Sequence, residues 1–507
     1  MTIRSALLAC LALIVLAPFS SGQSGPLLQG GGSPRLKAAG QTFALTIPVG
    51  APSTSTAFGL TAHAVYSDVK STLILLEDGK KRMAFLTSAF RLEHPELQDA
   101  SRAMISQAFG IAPGDVVINS AHNHSIPRVD VAPNAESKNP KFEISRALGR
   151  EYLAKLRAAI DALPAALEPV VIKWGVAQED RITYNRRGRR PDGKVYFIRE
   201  EDRVLLPPDY KGTIDKDAVV VMFTGKKGPV ACLTWYTGHP VTVYDPENPV
   251  VFGEWPQVAC EKLSAHLNGV PVGFLQGCCG DINSKYMFHG TEAQSREFGG
   301  FLGDAFIRAA KSAKTSVRDG FNIRMQTVDV PLGPLPDRAS LEKDLAEIDD
   351  FHKRAKAGDQ NTLYCVGLNF PTELEPPYRA WLVESVRRWY AWALEQHKQG
   401  KADQVDKAVP LDIVVARIGD VGFAGMPAET FVRTGLKIKR ETNLPCVLAS
   451  GYTGKMHGYI PDATAVDDRD YMGGNFRNRS VFHPPYRAPG ADAMAEAAVK
   501  TLNEFAR

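Results

Sequence analysis

The chain has 507 residues, of which 44% are hydrophobic, so it is long enough to bury a large core. Its 60 Lys and Arg residues nearly balance its 56 Asp and Glu residues, and a net charge of +4 argues against nucleic acid as a partner. One local basic cluster is predicted either to meet an anionic or carbonyl-bearing ligand or to be a solvated loop; it comprises Arg186, Arg187, Arg189 and Arg190.

The N-terminus has the pattern of an export signal. Arg4 precedes an apolar run from Ala6 to Phe19, and the small residues that follow suit cleavage near Gln23. The run is too short for a comfortable membrane span. We therefore expect a signal peptide at 1–22, a flexible Gly-, Ser- and Pro-rich linker at 23–41, and an exported (periplasmic or secreted) protein.

Apolar segments of strand and helix type alternate along the chain. A hairpin is predicted from Ser71–Glu77 and Arg82–Thr87 around Asp78-Gly79, and Pro95–Phe109 has helical spacing closed by Gly110. The same alternation continues to residue 450, which predicts an α/β protein with central mixed β-sheets flanked by helices. Further strands are expected at 116–118, 170–176, 218–223, 230–236, 272–275, 324–332, 413–418, 421–424 and 447–450, with helices at 151–163, 257–267 and 297–313.

Residues 338–412 interrupt this alternation and are predicted to be a helical insertion. Two charged amphipathic helices, 341–357 and 379–400, are separated by Pro-rich turns. Trp381, Trp389 and Trp392 recur at helical spacing. Packing against the main body is the simplest explanation of this stripe, and an apolar substrate channel is the alternative.

Polar residues that suit a metal site follow three of the predicted strands. His122 and His124 come after the strand at 116–118, and in an extended chain both imidazoles would point to the same face. His239 follows the strand at 230–236, and Glu429 follows the strand at 421–424. Neutral imidazoles and a carboxylate are zinc ligands, although each residue alone could equally be an ordinary loop or helix-start residue.

These segments, taken in order from about residue 42 to 485, resemble the neutral/alkaline (non-lysosomal) ceramidases. Val117–Pro127 is similar to the His-x-His-Ser segment of that family, Asn185-Arg186 to its Asn-Arg element, and Thr237–Pro240 to its later metal histidine. The remaining segments that carry the resemblance are Gly253–Pro256, Gly277–Asn283, Gly425–Phe431 and Gly451–Gly473.

The resemblance implies one catalytic Zn²⁺ bound by His122, His239, Glu429 and Tyr459. It also implies that His124 moves the proton from water to the leaving amine, while Arg186 and Tyr471 hydrogen-bond the oxyanion. The implied reaction is hydrolysis of the amide bond of ceramide or a related N-acyl amine to a fatty acid and an amine. The expected partner is therefore a lipid-like N-acyl amide, with peripheral contact to a membrane.

The chain also departs from that family. It reaches Arg507 without the usual C-terminal immunoglobulin-like domain, so we expect residues 42–507 to be the catalytic module alone. Glu254 stands where an aspartate is usual, and Ala428 where a glycine is usual. Two alternatives therefore stay open: the same zinc site acting on a different amide or ester, and a non-catalytic exported binding protein that retains the fold. The sequence leaves the oligomeric state and the pairing of the six later cysteines open, and Cys278-Cys279 is predicted to be a buried turn.

Overall fold

The computed structural model describes residues 35–54, 59–79, 81–92, 95–131, 142–190, 193–199, 212–478 and 481–507. The predicted signal peptide and residues 23–34 of the predicted linker lie outside these described residues. All described residues belong to one compact unit. Within them, no helix is long and apolar enough to cross a bilayer.

Three β-sheets follow one another along the chain, and the first four strands of each have the same arrangement. The first sheet has the order β4-β3-β2-β1-β5. Strands β1 to β3 are antiparallel neighbours, and β4 lies parallel to β3. Its strands are β1 (Leu36–Leu45), β2 (Val69–Asp78), β3 (Lys81–Ser88), β4 (Val116–Ser120) and the short β5 (Glu168–Pro169).

The second and third sheets repeat this arrangement, with the orders β9-β8-β7-β6-β10 and β14-β13-β12-β11. In each of them, two antiparallel pairs are followed by one parallel pair, β8 with β9 and β13 with β14. The strands are β6 (Val171–Gln178), β7 (Asp217–Gly225), β8 (Gly228–Tyr236), β9 (Val272–Gln276), β10 (Lys314–Thr315), β11 (Phe321–Pro331), β12 (Ala408–Ile418), β13 (Val421–Gly425) and β14 (Cys446–Ser450).

Helices cover these sheets and make the crossovers that parallel strands require. One helix lies between the strands of each parallel pair: α1, α3 and α7. α4 packs against α3, and α5 packs against α6. The helices are α1 (Pro95–Phe109), α2 (Glu143–Ala166), α3 (Glu254–His266), α4 (Glu292–Lys311), α5 (Arg338–Lys356), α6 (Pro376–Lys398), α7 (Val432–Glu441) and α8 (Asp492–Phe505).

Short two-stranded pairs lie outside the three sheets and hold loops near their ends. They are Ala64–Val65 with Val250–Val251, Thr183–Asn185 with Ile282–Ser284, Arg187–Arg189 with Val195–Phe197, Tyr364–Cys365 with Leu368–Asn369, and Glu429–Thr430 with Tyr459–Ile460.

The central core lies where the three sheets face one another. In β2, Leu73 and Leu75 pack toward α1 and α2, while Ile74 and Leu76 pack toward strands of the other two sheets. Because both faces of the strand are buried there, its sequence from Leu73 to Leu76 is continuously apolar instead of alternating. The predicted α/β class, with mixed sheets and flanking helices, is confirmed.

Two predicted boundaries are wrong. The linker was expected to extend to residue 41, but β1 begins at Leu36 and pairs along its whole length with β2. Gly40 fits there because a Cβ atom at this position would lie 2.8 Å from Ala231 Cβ on the second sheet. The helical insertion was expected to extend to residue 412, but β12 begins at Ala408, where it pairs with Pro331 of β11.

The tryptophans of α6 do not all fit the same alternative, which was either packing against the main body or lining an apolar substrate channel. Trp389 is buried and its indole N–H donates to the carbonyl of His483 at 2.9 Å, and Trp392 contacts Phe482. Trp381 is 50% exposed and stacks on Tyr378. All six cysteines in the described residues are buried, and none of them forms a disulfide. The burial of Cys278 and Cys279 agrees with the prediction.

Candidate metal centre

The three parallel strand pairs end at one place, and the predicted metal ligands lie just beyond those ends. His122 follows β4, His239 follows β8 and Glu429 follows β13. Open α/β sheets present loops for ligands at the carboxyl ends of their strands. In this chain three separate sheets contribute such loops to the same site.

Two buried side-chain amides connect the strand ends, and we call Asn119 and Gln276 the bridging amides. Asn119 lies in β4, and its Nδ2 donates to Gly451 O (2.9 Å) and Thr453 Oγ1 (3.0 Å), beyond β14. Its Oδ1 accepts from the backbone N–H of Gln276 (2.8 Å) at the end of β9. The side-chain Nε2 of Gln276 then donates to Ala121 O (2.7 Å) and Gly238 O (2.8 Å), which directly precede His122 and His239.

The carboxylate of Glu429 lies between two histidines. Its Oε2 is 3.3 Å from His122 Nε2 and 3.3 Å from His239 Nε2. All three side chains are buried. Two ligand atoms on a tetrahedral zinc, with bonds of about 2.0–2.2 Å, lie roughly 3.3–3.6 Å apart, so these residues have the spacing that a shared ion requires.

The other ring nitrogen of His239 is held by the backbone. Nδ1 donates to Cys279 O at 2.6 Å and faces Ile282 O at 3.1 Å. Such a hydrogen bond fixes the tautomer, so that the Nε2 lone pair faces Glu429. Gly238 is required just before it, because a Cβ atom there would lie 2.4 Å from Thr183 Cγ2.

His124 lies beside this set. The ligand nitrogens of His122, His124 and His239 are all within 4.8 Å of one another. Both ring nitrogens of His124 are shielded from solvent and have no hydrogen-bond partner in the described residues, whereas the residue as a whole is partly exposed. An imidazole with unused nitrogens beside a metal site can accept and release a proton.

Arg186 is buried, and most of its donors are already engaged. Nε and Nη2 donate to Gly280 O at 3.2 and 2.6 Å, Nη1 donates to Asn283 Oδ1 at 2.9 Å, and Nη2 donates to Tyr459 Oη at 2.8 Å. A guanidinium has five N–H groups. Within the described residues, one N–H of Nη1 is therefore left for a ligand. Tyr471 contacts Tyr459 ring to ring, with centroids 5.7 Å apart.

The electrostatics favour the protonation states that a metal needs. Burial lowers the pKa of His239 to about 3 and, for His124, well below its usual value. Burial works to raise the pKa of Glu429, but His122 and His239 outweigh it and hold that pKa well below its usual value. At neutral pH His124 and His239 are thus neutral imidazoles and Glu429 is a charged carboxylate, which is the ligand form of each of these groups.

Part of the basic cluster at 186–190 is paired with carboxylates. Arg187 pairs with Asp468 (2.8 Å) and Asp470 (3.0 Å), and Arg189 pairs with Asp468 (2.9 Å). Two carboxylates that are distant in sequence thus pair with two of the four arginines of the cluster.

An aromatic row leads from His124 to the surface of the helical insertion. The rings of His124 and Tyr244 have centroids 4.8 Å apart, and Tyr244 shares a hydrogen bond with Tyr378 of α6. Tyr378 stacks on Trp381 at 5.8 Å with an angle of 12° between the ring planes. The insertion thus contributes to the surroundings of the site.

All seven residues singled out from the sequence come together here, and their roles stay predictions. Sequence reasoning missed the bridging amides, whose signal was a polar residue inside or at the end of an apolar strand. It also missed Tyr452, whose hydroxyl is 3.4 Å from both Glu429 Oε2 and His239 Nε2. Its neighbours Gly451 and Gly454 were a signal for an unusual loop.

Comparison with known proteins supports the fold. No protein-family model matches the chain, and no curated protein matches it. The crystal structure of neutral ceramidase from Pseudomonas aeruginosa matches with a TM-score of 0.61 and 15% identity, covering 94% of this chain and 75% of that chain. A ceramidase complexed with C2 matches with a TM-score of 0.62 and 15% identity, covering 94% of this chain and 76% of that chain. The chain therefore has the α/β fold of these ceramidases.

Proposed function

We propose that this protein is an exported, zinc-dependent amidohydrolase of the neutral ceramidase type, which cleaves ceramide or a related N-acyl amine to a fatty acid and an amine. The observation that carries the proposal is the position of the Glu429 carboxylate, 3.3 Å from ring nitrogens of both His122 and His239. The fold shared with two ceramidases and the order of motifs from residue 42 to 485 point to the same chemistry.

Zinc is the metal that this set of ligands suits. Two neutral imidazoles and one carboxylate are the protein ligands of several catalytic zinc sites, and they leave room for further ligands. His122, His239 and Glu429 would hold the ion, and the sequence resemblance adds Tyr459. When bound there, zinc supplies a Lewis acid and a water activated near neutral pH.

The remaining residues of the site handle the proton and the charge of the substrate. His124 accepts a proton at a ring nitrogen and passes it to the departing amine. The free Nη1 hydrogen of Arg186 and the hydroxyl of Tyr471 donate to the oxygen that becomes negative when the amide carbon turns tetrahedral. A well-placed donor of this kind typically contributes about 3–4 kcal/mol to the transition state.

The aromatic row supports a lipid-like substrate. Tyr244, Tyr378 and Trp381 extend from His124 to an indole that is 50% exposed on α6. Exposed aromatic rings bind acyl chains through apolar area and suit the boundary of a membrane. We therefore propose that the acyl chain lies along this row, with peripheral contact between α6 and a membrane.

Two substitutions test the proposal with one substrate panel. Zinc-loaded protein should release fatty acid from N-acylated amines, ceramides included. His122→Ala should lose both bound zinc and turnover, whereas His124→Ala should retain zinc and lose most of the rate. Hydrolysis confined to other amides or to esters would favour the first alternative. Stoichiometric zinc with no turnover on any member of the panel would favour the binding protein.

A further inference from the structure

We infer that the helical insertion positions Tyr471, and that the hydroxyl of Tyr390 in α6 is the group through which it does so. The inference rests on the proposed function, in which Tyr471 donates to the oxygen that becomes negative. It adds a positioning residue to that reaction. We call residues 468–477, which carry Tyr471, the Tyr471 segment.

The hydroxyl of Tyr390 holds the Tyr471 segment at two points. Its oxygen accepts from Arg469 Nη2 at 2.9 Å and from Arg477 Nη1 at 3.2 Å, and it donates to Asp344 Oδ2 of α5 at 3.1 Å. Arg469 Nη2 also donates to Asp344 Oδ2 at 2.5 Å. Because Arg469 precedes Tyr471 and Arg477 follows it, one buried hydroxyl of the insertion contacts the segment on both sides of that tyrosine.

Arg477 makes this contact sensitive to the loss of one oxygen atom. The residue is 2% exposed, and it closes the segment by donating from Nη2 to Arg469 O at 2.8 Å and from Nε to Gly474 O at 3.0 Å. Its Nη1 has two N–H groups, whose acceptors within the described residues are Val366 O at 3.1 Å and the Tyr390 hydroxyl. Without that hydroxyl, one N–H of a buried guanidinium loses its acceptor, so we expect the segment to shift.

The turn of the insertion's short hairpin lies directly against the same segment. Val366 has φ of 40°, in the left-handed region that β-branched residues rarely adopt, and its N–H donates to Glu347 Oε1 at 2.7 Å. A Cβ atom on Gly367 would lie 2.2 Å from Arg469 O. A conformation of this kind persists where the surroundings fix it, often at functional sites. Here it brings the backbone of the insertion against that of the Tyr471 segment.

The hairpin also holds the ring against which Tyr471 packs. Asn369 Nδ2 donates to Phe197 O at 3.0 Å, and Asn369 Oδ1 accepts from Phe197 N at 2.8 Å. The centroid of the Phe197 ring lies 6.2 Å from that of Tyr471 and 5.1 Å from the guanidinium carbon of Arg186. The insertion therefore fixes both the segment that carries Tyr471 and a neighbour of its ring.

A separate ion pair also anchors the segment. Asp470 pairs with Arg187 at 3.0 Å, and its carboxylate accepts from Met472 N at 3.3 Å. Loss of the Tyr390 hydroxyl should therefore displace Tyr471 without releasing the segment. Tyr390→Phe should stay folded and keep its zinc affinity within about twofold, as measured by competition with a chromophoric chelator.

A double-mutant cycle on turnover separates positioning from a general structural role. Tyr390→Phe should lower kcat by about tenfold to hundredfold and leave KM within about twofold, because a displacement of about 1 Å can cost about a hundredfold in rate. In a Tyr471→Phe background, the same substitution should change kcat by less than about twofold, because the group that Tyr390 positions is already absent. Equal falls in kcat in both backgrounds, or a normal kcat in Tyr390→Phe, would overturn the inference.

Asp349→Asn is the matched control within the insertion. Asp349 of α5 accepts from Arg387 Nε of α6 at 2.6 Å, so it joins the same two helices, through exposed side chains. This variant should retain kcat. A fall in kcat as large as that of Tyr390→Phe would mean that any loosening of α5 against α6 is sufficient, which would contradict a specific part for the Tyr390 hydroxyl.

A spectroscopic measurement does not depend on turnover. With 3-fluorotyrosine placed at Tyr471, the fluorine NMR resonance of the metal-free protein should shift or broaden in Tyr390→Phe and stay unchanged in Asp349→Asn. An identical resonance in Tyr390→Phe and the unmodified protein would overturn the inference. If the resonance shifts but the unmodified protein hydrolyses no N-acyl amine, the proposed function fails while the hold of the insertion on Tyr471 is supported.

Discussion

Replacing Asn119 with leucine should disconnect the ends of three sheets without changing the volume of the side chain greatly. The substitution removes donors to Gly451 O and Thr453 Oγ1 and the acceptor of the Gln276 N–H. Gly451 O keeps a hydrogen bond from the Thr453 hydroxyl at 3.0 Å, so the buried Gln276 N–H is the group left without a partner.

The magnitude follows from these contacts. An unsatisfied buried donor costs about 1–3 kcal/mol, and each of the two lost hydrogen bonds contributes about 1 kcal/mol. The free energy of unfolding should therefore fall by about 3–5 kcal/mol. Zinc affinity should fall more than tenfold, because the same amide holds Gln276, whose side chain positions the segments that carry His122 and His239.

Denaturant unfolding of metal-free protein and chelator competition measure these two quantities. Gln257→Leu is the matched control. Gln257 is a buried amide whose Nε2 donates to Asp68 O (2.9 Å) and whose Oε1 accepts from Lys70 N (3.0 Å), and these hydrogen bonds do not involve the bridging amides. It should lose stability and keep its zinc affinity. The reasoning is refuted if Asn119→Leu is destabilised but binds zinc normally, or if both variants lose zinc affinity equally.

Three further predictions address the surroundings of the site. Gly238→Ala should impair zinc binding, because the added Cβ would lie 2.4 Å from Thr183 Cγ2. Thr183→Ser removes that methyl group, so the double variant should regain zinc binding. Absence of this rescue in chelator competition would contradict the explanation. Burial raises the pKa of Glu254 from 4.5 to about 7 against hydrogen bonds from Ser295 and Val243. Because the folded state then binds the proton more tightly than the unfolded state, the contribution of Glu254 to stability is complete below pH 4.5 and is lost as pH rises through 7, a difference of about 3 kcal/mol. Glu254→Gln should thus show a smaller fall in unfolding free energy between pH 5 and 8, and an identical pH dependence in both proteins would argue against a buried neutral carboxyl. Trp381→Ala should raise KM for long-chain N-acyl substrates by roughly fivefold to tenfold, as expected for a lost aromatic contact of about 1–1.5 kcal/mol. Short-chain substrates serve as the internal control. Equal effects on long-chain and short-chain substrates would exclude the proposed path of the acyl chain.

The elements of the fold could be predicted where local pattern and tertiary environment agree. Pro95–Phe109 was predicted with the boundaries that α1 has, because helical spacing and Gly110 both mark them. Residues 36–41 were missed, because Gly40 and a Pro- and Gly-rich neighbourhood suggest a linker. Only the pairing of β1 with β2, and the close approach of Gly40 to Ala231, explain the strand.

The residues of the site could be predicted from the sequence better than the hydrogen bonds that connect the segments carrying them. His122, His239 and Glu429 were found because each follows an apolar strand, and strand ends collect ligands. The same four-stranded arrangement occurs in all three sheets and brings those strand ends together. No internal repeat in the sequence indicates this. Nor does the sequence indicate that the hydroxyl of Tyr452 lies 3.4 Å from Glu429 Oε2, because that contact depends on how the segment after β14 folds.

Metal content tests the central claim most directly. After reconstitution with zinc and removal of excess metal, elemental analysis should find one zinc per chain in the unmodified protein and in His124→Ala, and none in His122→Ala or Glu429→Gln. Zinc at background level in the unmodified protein, or full zinc in all four proteins, would contradict a single ion held between the ends of these sheets.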